Sequence, residues 1–375
     1  GTKFDPNMEV IHWDALYPSE DNFLETRPWT APSNGIDYFF RPGTRSENNI
    51  SFSGANDEGS FRMSYTNIAQ KGIIPKSNIT KHNVSFNGTY KFTENLSINT
   101  NANYVSNRTI GRYGTGYDGR NIMQSFGQWF QTNVDFERLQ DYRAKSGKQK
   151  TWNLRGPTDP RAPGALGPMY FNNPYWVRNE MWEDDGRDRI YGKVEMNYDF
   201  TDWLSLTARV GMDHYNWYRN ERVAVGSLET SDFTKRTSTY TETNSKLLLR
   251  FDKTFGGLSV SGLVGGNLLR RKNEQLNAST VGGLIVPGLY TVSNSFSPVD
   301  SDEELIERGK NSVFGNISFG YNDFLYLEVT GRNDWASTLP DDNDSYFYPS
   351  VSTSLVFSEL INADFLSFGK LRLNY

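Results

Sequence analysis

The chain has 375 residues, with 39 Lys and Arg against 44 Asp and Glu, a formal net charge of -5 and no cysteine. That balance argues against a nucleic-acid partner, and the missing thiols exclude disulfides, cysteine nucleophiles and cysteine-ligated metals. No run approaches the eighteen or so consecutive apolar residues of a membrane helix, yet a mean hydropathy of -0.65 also fits a membrane barrel, where only alternate strand residues meet lipid.

Residues 1–43 lack clean alternation and carry Pro6, Pro18, Pro28, Pro32 and Pro42, which predicts a long irregular connection. Period-two alternation then takes over. Strands are expected over about Arg45–Asn56 and Ser60–Lys71, joined at Asp57-Glu58-Gly59. After a medium loop, Gly72–Thr80, the residues Val84, Phe86, Gly88, Tyr90 and Phe92 share a face. Thr93-Glu94-Asn95 turns the chain into Leu96, Ile98, Thr100, Ala102 and Tyr104. A long insertion follows, Asn107 to about Asp188, rich in Gly, Pro, Trp and Tyr, with room for an amphipathic helix near Asn121–Arg143. Strands resume at Ile190–Phe200, turn at Thr201-Asp202 and return through Leu204–Met212. A loop is expected over Tyr218–Lys235, then strands Ser238–Phe255 and Leu258–Arg271 about Gly256-Gly257, then a second long loop over Lys272–Arg308. The last hairpin joins Asn311–Tyr321 to a strand carrying Leu325, Leu327 and Val329, and a polar loop, Asn333–Tyr346, leads to Phe347–Phe357.

The connections alternate, tight then long. Outer-membrane barrels have short periplasmic turns and longer extracellular loops, whereas a soluble sandwich need not sort its loops by length. The fold class expected is all-β: an antiparallel transmembrane β-barrel, with about twelve strands over residues 44–375. Phe92, Phe200, Trp203, Phe255, Tyr321, Phe324 and Phe357 would form one aromatic girdle near the tight turns, and Tyr104, Tyr215, Trp217 and Trp335 a second near the long loops. Ser97, Asn99, Asn101 and Asn103, like Lys193, Glu195, Asn197 and Asp199, make the other face polar, which implies a wet lumen. Leu325, Leu327 and Val329 should therefore face lipid, and Glu328 and Arg332 the lumen.

The stretch from Gly331 to Leu360, with Gly331-Arg332-Asn333-Asp334-Trp335 and then Tyr348-Pro349-Ser350, closely resembles a hallmark of the SusC/RagA family of TonB-dependent outer-membrane transporters. Asn67–Pro75 resembles a second family element, and Gly369–Tyr375 a further family strand. The resemblance implies a barrel of 22 strands, of which this chain would hold the first half, with the plug and TonB box outside it. It also implies a SusD-like surface lipoprotein as partner, the TonB complex as energy source, glycan or peptide cargo and a bacterial outer-membrane location. A passive porin or structural barrel is the alternative.

Other chemistry is weaker. Gly114-Thr115-Gly116-Tyr117-Asp118-Gly119 matches GxGxxG, but it follows a polar alternating strand rather than a buried one. Glu183, Asp184 and Asp185 are adjacent and would not flank one glycosidic bond. Asp341, Asp342 and Asp344, with Asn343, are oxygen-rich enough for Ca²⁺, the one cofactor candidate, yet lack the Gly and distal Glu of an EF-hand loop. His12, His82 and His214 show no metal-ligand spacing. The candidates for cargo or partner contact are aromatic: Trp129, Trp152, Tyr170, Tyr175, Trp176 and Trp182 could stack on sugars or pack on a lid, or could form the core of their own loop.

Overall fold

The computed structural model describes residues 3–112, 114–128, 130–361 and 366–375. Two short strands, β1 (Asp5–Ile11) and β2 (Thr26–Trp29), pair as a small antiparallel sheet. The main sheet contains β3 (Thr44–Ala55), β4 (Gly59–Lys71), β5 (Asn78–Lys91), β6 (Leu96–Arg112), β7 (Glu183–Thr201), β8 (Leu204–Val223), β9 (Asp232–Phe255), β10 (Leu258–Leu284), β11 (Ser295–Tyr321), β12 (Leu325–Ala336), β13 (Ser345–Leu355) and β14 (Leu371–Asn374). All twelve lie in sequence order, each antiparallel to the next, with β3 and β14 at the edges. This is an up-and-down antiparallel meander.

Register sorts the two faces. A strand presents successive side chains to opposite sides, so unbroken pairing keeps parity across the sheet. Asn87, Asn101, Lys193, Gly211 and Asn244 follow one another across β5–β9. On the opposite face Ile50, Phe52, Phe61, Met63, Phe86, Val194, Val210, Leu247, Val264, Val313, Leu325, Leu327 and Val329 are exposed. An exposed apolar row of this extent would be an aggregation surface in water and is a lipid-facing band in a membrane. Glu328 lies on the polar face, where its Oε1 accepts from Asn316 at 3.2 Å.

The strands run further than their alternation suggested. β10 and β11 each hold 27 residues, about 90 Å at ~3.4 Å per residue, against an apolar band about 25 Å tall. They remain paired through Ser279 and Asp300, so most of the stretch read as a loop, Lys272–Arg308, is a projecting hairpin, and only residues 285–294 connect it. In water neither face needs apolar side chains, so the alternation stops at Leu268 while the ladder continues. For the same reason β8 and β9 shorten the expected loop at Tyr218–Lys235 to residues 224–231.

Four further expectations change. The single helix over Asn121–Arg143 is two short ones, α1 (Ile122–Gly127), capped by the Asn121 side chain, and α2 (Phe136–Leu139), capped by Asp135; a third, α3 (Pro174–Glu180), has Pro174 in its first turn, where the missing N–H costs nothing. Residues 1–43 are not merely irregular, since they carry β1 and β2 and supply Trp13, Leu16, Tyr17 and Phe39 to a buried core. Tyr215 and Trp217 leave the upper girdle: they share the parity of Asp213 and so face the lumen, while Tyr104 and Trp335 are exposed on the lipid side. At the tight-turn end, the connection after β13 occupies residues 356–370 and breaks the strict sorting. The lower girdle is otherwise present, with Tyr90–Phe92 and Tyr198–Phe200 packed edge to face at 4.9 Å and Tyr321–Phe324 at 5.7 Å.

Candidate functional site

The segment between β6 and β7 folds into a cap at the long-loop end of the sheet, around a core shared with Trp13, Leu16, Tyr17 and Phe39. Phe39 lies 4.9 Å from Tyr175, Phe126 lies 5.5 Å from Phe136, and Phe130 lies 5.0 Å from Trp152. Buried polar groups hold the backbone around these rings. The Tyr17 hydroxyl accepts from Thr151 N–H at 2.6 Å, and Asn173 donates to Leu139 O at 2.9 Å and Lys150 O at 2.8 Å while capping α3.

Arg178, on α3, ties this cap to the barrel rim. Its guanidinium is buried and donates to Pro75 O at 2.9 Å, Arg112 O at 3.2 Å and Gly111 O at 2.5 Å. Gly111 has φ +77 and a Cβ there would collide with Lys76 O, so this close approach needs glycine. Burial pushes the guanidinium down to about 10, and among the described residues no carboxylate hydrogen-bonds to it.

A charge network lies beneath the cap on the lumenal face. Arg120 donates to Asp118 at 3.1 Å and to Glu221 at 3.0 Å, and sits 3.4 Å from Glu183. Arg219 reaches Glu183 at 2.8 Å and Glu221 at 2.9 Å, and Arg112 pairs with Asp185. The side chains of Glu183 and Glu221 are almost inaccessible. Burial raises the Glu183 carboxyl above its ordinary 4.5, against the opposing pull of Arg219 and Arg120.

Below that network the lumenal wall carries tyrosines among paired charges. Tyr215 and Tyr240 stack at 5.1 Å, with the Arg187 guanidinium 5.6 Å from Tyr215 and Arg189 4.6 Å from the Tyr191 ring. Arg189 binds Asp213 at 2.7 Å, and Glu242 accepts from Arg271 at 2.6 Å and from Tyr240 at 2.8 Å. Further down come Arg209 with Glu195, then the ladder of Asn87, Asn101 and Asn103, in which Asn103 donates to Asn101 at 2.8 Å. The wall can accept hydrogen bonds, donate them and stack planar groups.

Of the aromatic candidates, Trp152 (5% exposed), Tyr175 (5%) and Trp176 (1%) are enclosed in the cap core, and the Trp176 indole donates to Ser227 at 2.8 Å. They build the cap and cannot touch a ligand on its surface. Tyr170 is 53% exposed. Trp182 is half-buried beneath Arg222, whose guanidinium lies 3.1 Å from its ring centroid and 4.7 Å from that of Tyr290. Trp129 lies outside the described residues.

The motif residues form a brace across β11–β13. Arg332 donates to Asp334 and Ser312, both at 2.9 Å, and covers Phe314 at 5.1 Å; Asp334 also receives Lys310 at 3.1 Å. Thr330 and Ser350 bond at 2.5 Å and Asn333 donates to Ser345 at 2.8 Å. Tyr348 is register partner to Arg332 and Pro349 to Gly331, while Trp335 points outward. A Cβ at Gly331 would come within 3.4 Å of the Phe347 ring, which covers that gap in the lipid face.

Asp341 and Asp342 lie in the short 3-10 turn Asp341–Asn343, with Asp344 next. Among the described residues no group of three or more His, Asp or Glu converges as a metal site, these included. The GxGxxG stretch sits in the connection between β6 and α1, but β6 belongs to an antiparallel meander and not to the parallel βαβ unit a dinucleotide loop requires. His82 contacts Tyr65, and His214 contacts Thr241 at 2.8 Å, so neither histidine is paired with a nucleophile aimed at the lumen.

No protein-family model matches the chain. TonB-dependent receptor P3 of Formosa agariphila is 21% identical over 322 residues, covering 84% of this chain and 30% of the relative. TonB-dependent receptor P26 of the same organism is 21% identical over 364 residues, covering 92% and 34%. The chain thus spans about a third of the length of the curated relatives it matches. Among solved structures, the RagAB peptide importer in its open-open state superposes with a TM-score of 0.69 at 17% identity, over 98% of this chain and 41% of that one. The structure of the RagAB peptide transporter gives 0.64 at 17%, over 99% and 38%. By sequence the chain is similar to TonB-dependent receptors, and its fold is that of the RagAB outer-membrane β-barrel.

Proposed function

We propose that this barrel takes part in TonB-driven import of a large nutrient across the outer membrane, with a SusD-like surface lipoprotein as lid over the cap. The observation that carries this reading is the combination of an ordered extracellular cap with a lumenal wall of tyrosines and paired charges leading down from it. A wall bearing both signs of charge suits an oligopeptide better than a neutral oligosaccharide, because peptide cargo brings both signs and many hydrogen-bonding groups. The likeness to a peptide importer supports the same preference.

The test replaces residues 114–181 by a short Gly-Ser linker in the full-length transporter. Surface levels of the variant should stay near normal, while co-purification of the lipoprotein and growth on the cargo are lost. A variant that keeps both its lid and its uptake would overturn the assignment. A variant that never inserts would make the cap an assembly element of the barrel instead.

A further inference from the structure

Among the described residues, the projecting half of β11 has no sheet neighbour along one side. β12 accompanies β11 only from Tyr321 to Lys310, and from Gly309 outward the sheet partner is β10 alone. The direction of the free backbone groups follows from Gly309, whose carbonyl accepts from Ser337 N–H at 2.9 Å and whose N–H donates to Ser337 Oγ at 2.8 Å, both on the β12 side. Pairing with β10 is unbroken from Tyr321 to Asp300. By the two-residue period of a strand, Glu307, Leu305, Glu303 and Ser301 turn their N–H and C=O groups the same way. Among the described residues, none of these groups meets a hydrogen-bond partner.

An exposed edge of this kind is a template for another strand, and charge decides which strand it accepts. Asp300, Asp302, Glu303, Glu304 and Glu307 are all exposed. Their partners on β10 are Ser279, Asn277, Leu276, Gln275 and Lys272. Lys272 is engaged with Glu274 at 2.7 Å, so among the described residues the five carboxylates have no ion pair. Two such edges brought together would repel, which disfavours a second copy of this chain.

We propose that the outer edge of β11 receives an extended segment of a partner polypeptide rich in Lys and Arg, added as one further strand outside the membrane. Backbone bonds to Ser301, Glu303, Leu305 and Glu307 hold the segment, and its cations sit across from Glu303 and Glu307. The site is separate from the lumenal wall and independent of which cargo the barrel imports.

The probe is a fluorescent ten-residue peptide alternating Lys and Thr, titrated by anisotropy into the full-length transporter in detergent. A Glu–Thr peptide and an N-methylated Lys–Thr peptide serve as comparisons. Leu305→Pro removes one outward N–H without touching the bonds to β10, and a strand edge is where proline is tolerated. The Lys–Thr peptide should bind, and should slow amide exchange at Ser301, Glu303, Leu305 and Glu307. Affinity should fall at least tenfold for Leu305→Pro, for Glu303→Gln with Glu307→Gln, and on N-methylation. Unchanged binding to both variants overturns the proposal, and so does equal binding of the Glu–Thr peptide. Dimerisation of the transporter that Leu305→Pro abolishes would give the edge to a second copy and refute the basic partner.

Discussion

Replacing Arg178 with methionine, which preserves the bulk of the side chain and removes its donors, should open the cap while leaving the barrel intact. The guanidinium donates to Pro75 O, Arg112 O and Gly111 O, and a bond involving a charged group contributes about 1.5–3 kcal/mol net. Opposing this is desolvation, which pushes the guanidinium down to about 10, a shift of roughly 3 kcal/mol at about 1.4 kcal/mol per decade. Three bonds less that cost leave about 1.5–6 kcal/mol, and the variant strands three carbonyls at a rim that water re-enters only in part. A local loss near 3 kcal/mol speeds amide exchange on the order of 100-fold. The assay is hydrogen exchange by mass spectrometry on the full-length transporter, comparing peptides from residues 114–181 with those from β7 to β9. Cap peptides should lose protection by that factor while strand peptides stay unchanged. Unchanged cap protection in Arg178→Met would refute the argument that this residue ties cap to rim, and Arg178→Lys, which lacks the planar fork, should restore only part of it.

Three further outcomes follow from the same geometry. Val329→Arg on the lipid face should cost about 2–4 kcal/mol in denaturant titrations of the folded transporter in bilayers, and Leu327→Arg less, because Leu327 is nearer the Tyr321–Phe324 girdle; a larger penalty for Glu328→Gln than for either would reverse the facing. With the Glu183 carboxyl raised by burial, the folded cap holds its proton more readily than the unfolded chain, so this group's contribution is present below 4.5 and is lost as pH rises through the higher folded value; the difference in cap protection between wild type and Glu183→Gln should therefore widen from pH 4 to pH 7.5, and a constant difference would count against it. Tyr215→Ala with Tyr240→Ala should lower uptake at least several-fold without altering surface level or lid association, and undiminished growth on the cargo would remove the stacked pair from the transport path.

Much of this barrel is decided locally. Alternation within the lipid band is imposed residue by residue, since each outward side chain meets hydrocarbon and each inward one meets water; Leu325, Leu327, Val329, Glu328 and Arg332 therefore announce their faces, and the tight turns at Gly256-Gly257 and Asn322-Asp323 announce the hairpins. Above the membrane that constraint vanishes. Lys272 to Ser279 and Asp300 to Arg308 look like loop because nothing in their surroundings demands an apolar side, yet backbone pairing carries them on as strands. The aromatic residues of the cap identify an ordered segment, but composition is the same for a ring that binds and a ring that packs. Only the chain path could settle that Trp176 lies over Ser227, that Phe39 travels from the first segment to meet Tyr175, and that Tyr170 stays outside. The anchoring by Arg178 was equally hidden, because its partners are carbonyls at Pro75, Gly111 and Arg112, distant in sequence and indistinguishable there from any other peptide group, brought within reach of one guanidinium only when the sheet has formed.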